Sequence, residues 1–241
     1  MPPFHWWRTV FFLIPAIAVY TIVLGTLSLG SSLFESSGHF AHWCARAWSW
    51  LILRTTGVEV TVEGLAQLTP GRTYVFVANH QSIYDIPILF WSLPFQLRII
   101  AKASLGSFPF LGWHLRRTGH MLVDRRRPDR NGVVGWAKRL TSNGLSLIVF
   151  PEGTRSQDGR VARFKGGSFL VALQAGLPVV PISVVGSRHV MLKGRLATYP
   201  GKVTLIVHPP IDTTGMADDE PKAFGERVRQ VVQPAAERDV A

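Results

Sequence analysis

Between Arg8 and Glu35 the chain runs for 26 residues without a charge, and the part from Val10 to Leu29, VFFLIPAIAVYTIVLGTLSL, is almost wholly apolar. At about 1.5 Å per residue, a helix of that length covers a hydrocarbon core of about 30 Å. A secretory signal has a shorter apolar region and a small-residue cleavage site, and here Trp6, Trp7 and Arg8 stand at the start like an interfacial anchor. The segment is read as uncleaved membrane attachment, with a buried core helix as the alternative. Pro15 falls near the start of this helix, where a kink is tolerated.

A second apolar stretch, His39 to Leu53, mixes Trp43, Trp48 and Trp50 with Arg46, and Arg54 follows it. Aromatics interleaved with cations suit a headgroup interface better than a hydrocarbon core, so residues 1–56 are expected to form an N-terminal membrane-associated helical hairpin, embedded rather than spanning and ended by Gly57. From there the pattern changes to short β-branched runs: VEVTVEG, TYVFVAN, LRIIAK, HMLVDR, LSLIVFPEG, PVVPISVVG and VTLIVHP. Segments able to form helices separate them, which predicts an α/β domain with a largely buried sheet over residues 57–241. The stretch from Asp218 to Val240 reads as a polar surface helix.

Length and composition agree with one domain plus an appendage. Of 241 residues, 47% are hydrophobic and only 17% charged, which excludes a disordered chain. Cys44 is the single cysteine, so an intramolecular disulfide framework and a multi-cysteine metal centre are excluded. Net charge is +11, and the segment from Arg98 to Lys165 alone carries 14 basic against four acidic residues. Such an excess calls for an anionic partner: nucleic acid, a membrane surface or a phosphorylated substrate. Nucleic acid is disfavoured by the apolar N-terminus and by the lack of a helix-turn-helix, zinc-finger or RNA-binding aromatic motif. His114, His120, His189 and His208 are scattered without metal-ligand spacing, so no metal is assigned.

Two motifs carry chemistry. The strand TYVFVAN leads into Asn79-His80-Gln81-Ser82-Ile83-Tyr84-Asp85, where a carboxylate five residues after the histidine can fix its tautomer and stabilise the imidazolium. His80 is then a candidate general base, although the spacing alone is weak. Farther on, the strand LSLIVF runs straight into Pro151-Glu152-Gly153-Thr154-Arg155-Ser156. Arg155 offers a planar fork for phosphate, Gly153 allows close backbone approach, and Glu152 can orient Arg155 or the acceptor. Strand ends of this kind form the ligand edge of open α/β sheets.

Together these blocks resemble the glycerolipid acyltransferase family, in particular the lysophosphatidic acid acyltransferases, whose signature is Asn-His-x4-Asp followed by Phe-Pro-Glu-Gly-Thr-Arg-Ser. Gly119 to Arg125 and Val180-Pro181-Ile182 look like two weaker blocks of the same family, and the similarity extends over roughly Val58 to Val207. The resemblance implies a mixed sheet flanked by helices behind a two-helix membrane motif. It implies transfer of an acyl chain from an acyl-CoA or acyl carrier protein thioester to the sn-2 hydroxyl of lysophosphatidic acid, giving phosphatidic acid. His80 would be the base and Asp85 its support; Lys102, Arg125, Glu152, Gly153 and Arg155 would form the acceptor-phosphate site, with no cofactor. Ser104 stands where members often carry an acidic residue, so any role of that acid is lost. The expected setting is the cell membrane, with the catalytic domain on the cytoplasmic side of an anionic phospholipid surface. Another lysolipid acceptor, or a catalytically silent membrane lipid-binding protein, remains the alternative.

Overall fold

The computed structural model describes residues 3–35, 38–107, 111–124, 130–216 and 220–238. It opens with α1 (Phe4–Arg8), a π-helical turn (Thr9–Leu13) and α2 (Ile14–Ser31), one rod from Phe4 to Ser31 that is long and apolar enough to cross a membrane. Pro15 has no N–H, and in a regular helix its ring would meet the carbonyl four residues earlier, at Phe11; the widened turn lies over that position. The second helix, α3 (His39–Thr56), packs back along α2 and ends at Gly57, whose φ of 77° suits a left-handed cap. Trp48 Nε1 donates to Thr21 Oγ1 at 3.0 Å, and Tyr20 shares a 3.1 Å hydrogen bond with Thr55. Arg8 is not the free interfacial anchor expected: its Nη2 donates to the carbonyls of Thr55 and Thr56, satisfying the open C-terminus of α3.

After Gly57 come β1 (Val58–Glu63), β2 (Val75–Ala78), α4 (Asp85–Ser92), β3 (Leu97–Lys102), α5 (Leu111–Arg117), β4 (Met121–Val123) and α6 (Arg130–Ser142). The chain continues through β5 (Ser146–Val149), α7 (Leu170–Ala175), β6 (Val179–Val185), α8 (Ser187–Val190), β7 (Gly201–Val207) and α9 (Pro221–Ala236). Each β-branched run in the sequence supplies one strand, and the seven form a mixed sheet in the order β1-β7-β6-β2-β5-β3-β4. Strands β6, β2, β5, β3 and β4 run parallel; β7 is antiparallel to β6, and β1 is parallel to β7. The five parallel strands therefore end at one edge, where loops can gather.

Alternation along β2 divides the core. Phe76 and Ala78 face a layer that includes Ile52 and Leu53 of α3 and Ile88 and Leu89 of α4. Val75 and Val77 face the other layer, with Ala137 of α6, Val171 of α7 and Phe224 and Val228 of α9. Helix α3 thus shares its core with the sheet, and Arg46, expected at a headgroup interface, donates instead to the carbonyls of Trp91 and Leu93 at the end of α4. The C-terminal helix is likewise not a polar surface element. Phe224, Val228, Val232 and Ala235 recur every three to four residues and are buried, so α9 is amphipathic and closes the second layer. Asp218 and Val240 lie outside the described residues.

Candidate active site

His80 and Glu152 are 72 residues apart, but β2 and β5 are parallel neighbours in register, Val77 opposite Val149. Both strands therefore release their chains side by side. The backbone N–H of His80 donates to Glu152 Oε1 at 2.7 Å, the His80 carbonyl accepts from Ser156 N–H at 2.8 Å, and the imidazole stacks on Phe150 with centroids 4.1 Å apart. Asn79 locks the other side. Its amide donates to Val184 O at 2.9 Å and accepts from Val184 N–H at 2.7 Å, adding one side-chain rung to the β2–β6 ladder where β2 has ended.

The turn from His80 into α4 is built around one carboxylate oxygen. Asp85, at the first position of α4 and fully buried, accepts at Oδ2 from the N–H groups of Gln81 at 2.8 Å and Ser82 at 3.0 Å, with His80 Nδ1 2.8 Å away. With two backbone donors already fixed on that oxygen, the imidazole meets it as a third donor, through the proton on Nδ1. This leaves Nε2 as the nitrogen able to accept a proton, on a side chain that is 12% exposed. Gln81 Nε2 donates to Gly159 O, and Ser82 Oγ to Met191 O, tying the turn to two further segments.

Glu152 sits differently from the expectation. Its Oε1 is taken by His80 N–H and its Oε2 by Ala162 N–H at 3.0 Å, and the residue is 4% exposed. The carboxylate is an internal clamp between the two motif loops and presents nothing to a phosphate; burial pushes its pKa up to about 7.

The acyltransferase family model matches residues 59–185, more than half of the chain, and includes Asn79, His80, Asp85 and Glu152. The chain belongs to the acyltransferase family. It is 36% identical over 179 residues to a 1-acyl-sn-glycerol-3-phosphate acyltransferase of Chlamydomonas reinhardtii, covering 73% of this chain and 54% of that protein. It is 34% identical over 178 residues to the human 1-acyl-sn-glycerol-3-phosphate acyltransferase alpha, covering 72% and 62%. The chain thus spans between about half and two thirds of these curated relatives. The crystal structure of the 1-acyl-sn-glycerophosphate acyltransferase PlsC from Thermotoga maritima superposes with a TM-score of 0.75 at 30% identity, covering 93% of this chain and 95% of that one.

Of the remaining predicted residues, Gly153, Arg155 and the backbone of Lys102 lie around the same edge. Gly153 adopts φ 72°, a left-handed backbone that favours glycine, while the closest neighbour of a Cβ there would be the flexible end of Lys165, 2.7 Å away at Nζ. Arg155 follows in the same loop, one residue before the Ser156 bond to His80. Lys102 ends β3 at this edge, but its side chain lies outside the described residues, as does Arg125 altogether. Sequence reasoning missed three contributors. Asn79 and Phe150 were visible only as motif letters, and Lys193, whose Nζ donates to Thr154 Oγ1 at 3.1 Å and Arg155 O at 2.8 Å, lies in no motif. Beside Phe150 and Gly153 opens a cavity of about 620 Å³, lined by Ile100, Val123, Val134 and Leu170 together with Lys165.

Proposed function

We propose that this chain transfers a fatty acyl group from an acyl-CoA or acyl carrier protein thioester to the sn-2 hydroxyl of 1-acylglycerol-3-phosphate, giving phosphatidic acid. The observation that carries the reading is the His80–Asp85 pair at the C-terminal edge of the sheet, its turn pinned by Glu152 and Asn79. His80 Nε2 takes the proton of the attacking hydroxyl as its oxygen bonds to the thioester carbonyl, and Asp85 stabilises the imidazolium. Collapse of the tetrahedral intermediate breaks the C–S bond, and the imidazolium returns its proton to the departing thiolate. Arg155 takes the acceptor phosphate with a planar two-donor fork, and Lys102 and Arg125 are assigned to the same phosphate from the family blocks in the sequence. The mostly apolar cavity beside Phe150 takes an acyl chain.

Membrane attachment belongs to the same reading, because both substrates carry acyl chains. Trp7, Phe11, Phe12, Ile22 and Val23 of the first rod are exposed, as are Ile83, within the catalytic turn, and Leu192, next to Met191, which accepts from Ser82. An apolar surface that reaches the catalytic turn brings the acceptor from the bilayer to His80.

The test is direct. Purified protein receives a panel of lysolipids with each thioester donor, and products are identified by mass. Phosphatidic acid as the dominant product is expected, and its loss by at least 100-fold in His80→Ala. Turnover above about a tenth of wild type in that variant would overturn the mechanism, and dominance of another lysolipid would replace the acceptor.

A further inference from the structure

At the edge of the sheet opposite His80, the tip of the helical hairpin, the start of β3 and the ends of α5 and α6 enclose a second cavity, of about 1020 Å³. Among the described residues four arginines line it, Arg72, Arg98, Arg116 and Arg117, together with one carboxylate, Glu35, which accepts from the N–H groups of His39 and Phe40.

Arg98 is the residue that needs an explanation. It is 3% exposed, donates from Nη1 to Leu97 O at 2.9 Å, and its Nε has no hydrogen-bond partner among the described residues. Its guanidinium lies between two glycines that line the cavity: a Cβ at Gly38 would fall 2.6 Å from Nη2, and one at Gly119 3.6 Å from Nε. Burial draws its pKa down to about 10. The neighbouring histidines offer no counter-charge. Burial first, and the charge of Arg98 second, push His114 down to about 4 and His120 well below its usual range. Among the described residues no carboxylate bonds the Arg98 guanidinium; a buried cation so placed is costly, and its planar fork matches phosphate oxygens. At the rim, Arg116 and Arg117 are exposed, and Arg117 Nε donates to Ser32 Oγ at 3.1 Å, joining α5 to the hairpin tip.

We propose that this cavity is a second anion site, remote from His80, that binds a phosphate group with Arg98 at its floor and Arg116 and Arg117 at its rim. The proposal is independent of the acyl-transfer chemistry. The phosphate is either soluble or part of a lipid headgroup. For the latter, Leu33 and Phe34 at the hairpin tip are 70% and 92% exposed and offer apolar surface for the attached chains.

The experiment uses the full chain in an Arg155→Ala background, which removes the arginine assigned to the acceptor phosphate. In detergent, saturating inorganic phosphate at constant ionic strength is expected to raise the melting temperature by about 5 °C. Arg116→Ala/Arg117→Ala should reduce that shift to below about 1 °C. Arg98→Met should abolish it while melting no lower than its parent in phosphate-free buffer, because an unpaired buried charge has been removed. In a second arm, vesicles of phosphatidylcholine with one third phosphatidylglycerol are compared with phosphatidylcholine alone. Arg160→Ala/Arg163→Ala, two exposed arginines elsewhere, controls for lost charge. A tenfold larger loss of preference for the anionic vesicles in the rim variant than in the control assigns a lipid headgroup; a phosphate shift with equal vesicle losses assigns a soluble phosphate. No phosphate shift together with equal vesicle losses, or a shift that survives the rim substitutions, would overturn the site.

Discussion

Asp85 and Glu152 are buried carboxylates at the same end of the sheet, yet they do different things. Asp85 gathers two backbone donors and the imidazole on a single oxygen, so it sets the tautomer of His80; Glu152 spends both oxygens on amides and sets where His80 stands. Asp85→Asn is expected to preserve the fold but lose most turnover at unchanged acceptor KM, because an amide cannot stabilise the imidazolium. Glu152 also predicts a pH dependence of stability. Below the ordinary value of 4.5 it is protonated in both folded and unfolded chains; between there and about 7 the unfolded chain releases its proton while the folded chain keeps it. Stability should therefore fall by about 3 kcal/mol as pH rises through that window. Glu152→Gln cannot titrate, so its stability should change less than that of wild type between pH 5 and 7. Denaturation midpoints at pH 5 and 7 check this, and identical pH slopes in the two proteins would remove Glu152 as the cause. For Arg155, lysine keeps the charge and loses the fork, so Arg155→Lys should raise the acceptor KM more than the donor KM. The opposite pattern in steady-state kinetics would move Arg155 to the donor side. Motif letters disclosed these side chains, but not that Glu152 is a clamp, since that depends on which amides surround it.

Elements differ in how much of their role the chain displays. Strands were legible because β-branched runs have a short, local period, and all seven appear where the runs stand. Helix α9 was misjudged because ten of the 23 residues from Asp218 to Val240 are charged, whereas its apolar residues at positions 224, 228, 232 and 235 determine its packing. The contact is tight. A Cβ at Gly225 would come 2.7 Å from Phe169 Cε2, on a ring that is fully buried and flanked by Phe164 and Phe224. Alanine gains about 1 kcal/mol in helix propensity but overpacks a ring with nowhere to move, at about 1–3 kcal/mol. Gly225→Ala should therefore lower stability by about 1 kcal/mol, readable as a lower denaturation midpoint; a rise would show that the ring can yield. Arg8 and Arg46 teach the same lesson from the other side. Each looked like an interface cation, and each instead satisfies the carbonyls that a neighbouring helix leaves open at its end.

At the scale of the molecule, the hairpin and the catalytic edge share one question, which side of a bilayer they face. If the hairpin embeds in one leaflet, a cysteine at Pro3 in a Cys44→Ser background should be shielded from an impermeant thiol reagent in intact cells and react after lysis. Labelling of intact cells would instead make the first rod a span. Deleting residues 1–54 tests how far attachment depends on that rod, although Ile52 and Leu53 belong to the domain core, so a milder exchange of Phe11 and Phe12 for Ser is the companion measurement. Weaker vesicle binding with intact folding is expected from it. The sequence by itself determined the apolar rod, the seven strands and both motifs, because each is written in residues close together along the chain and governed by local periodicity or turn chemistry. Tertiary structure alone decided that β2 and β5 lie side by side, which joins His80 to Glu152 across 72 residues. It also decided that Arg98, counted in sequence only within the basic excess of residues 98–165, is buried beside His114 and His120 beneath the hairpin tip. Strand order is chosen by how the whole chain buries both faces of its sheet, a global packing condition that no single segment contains.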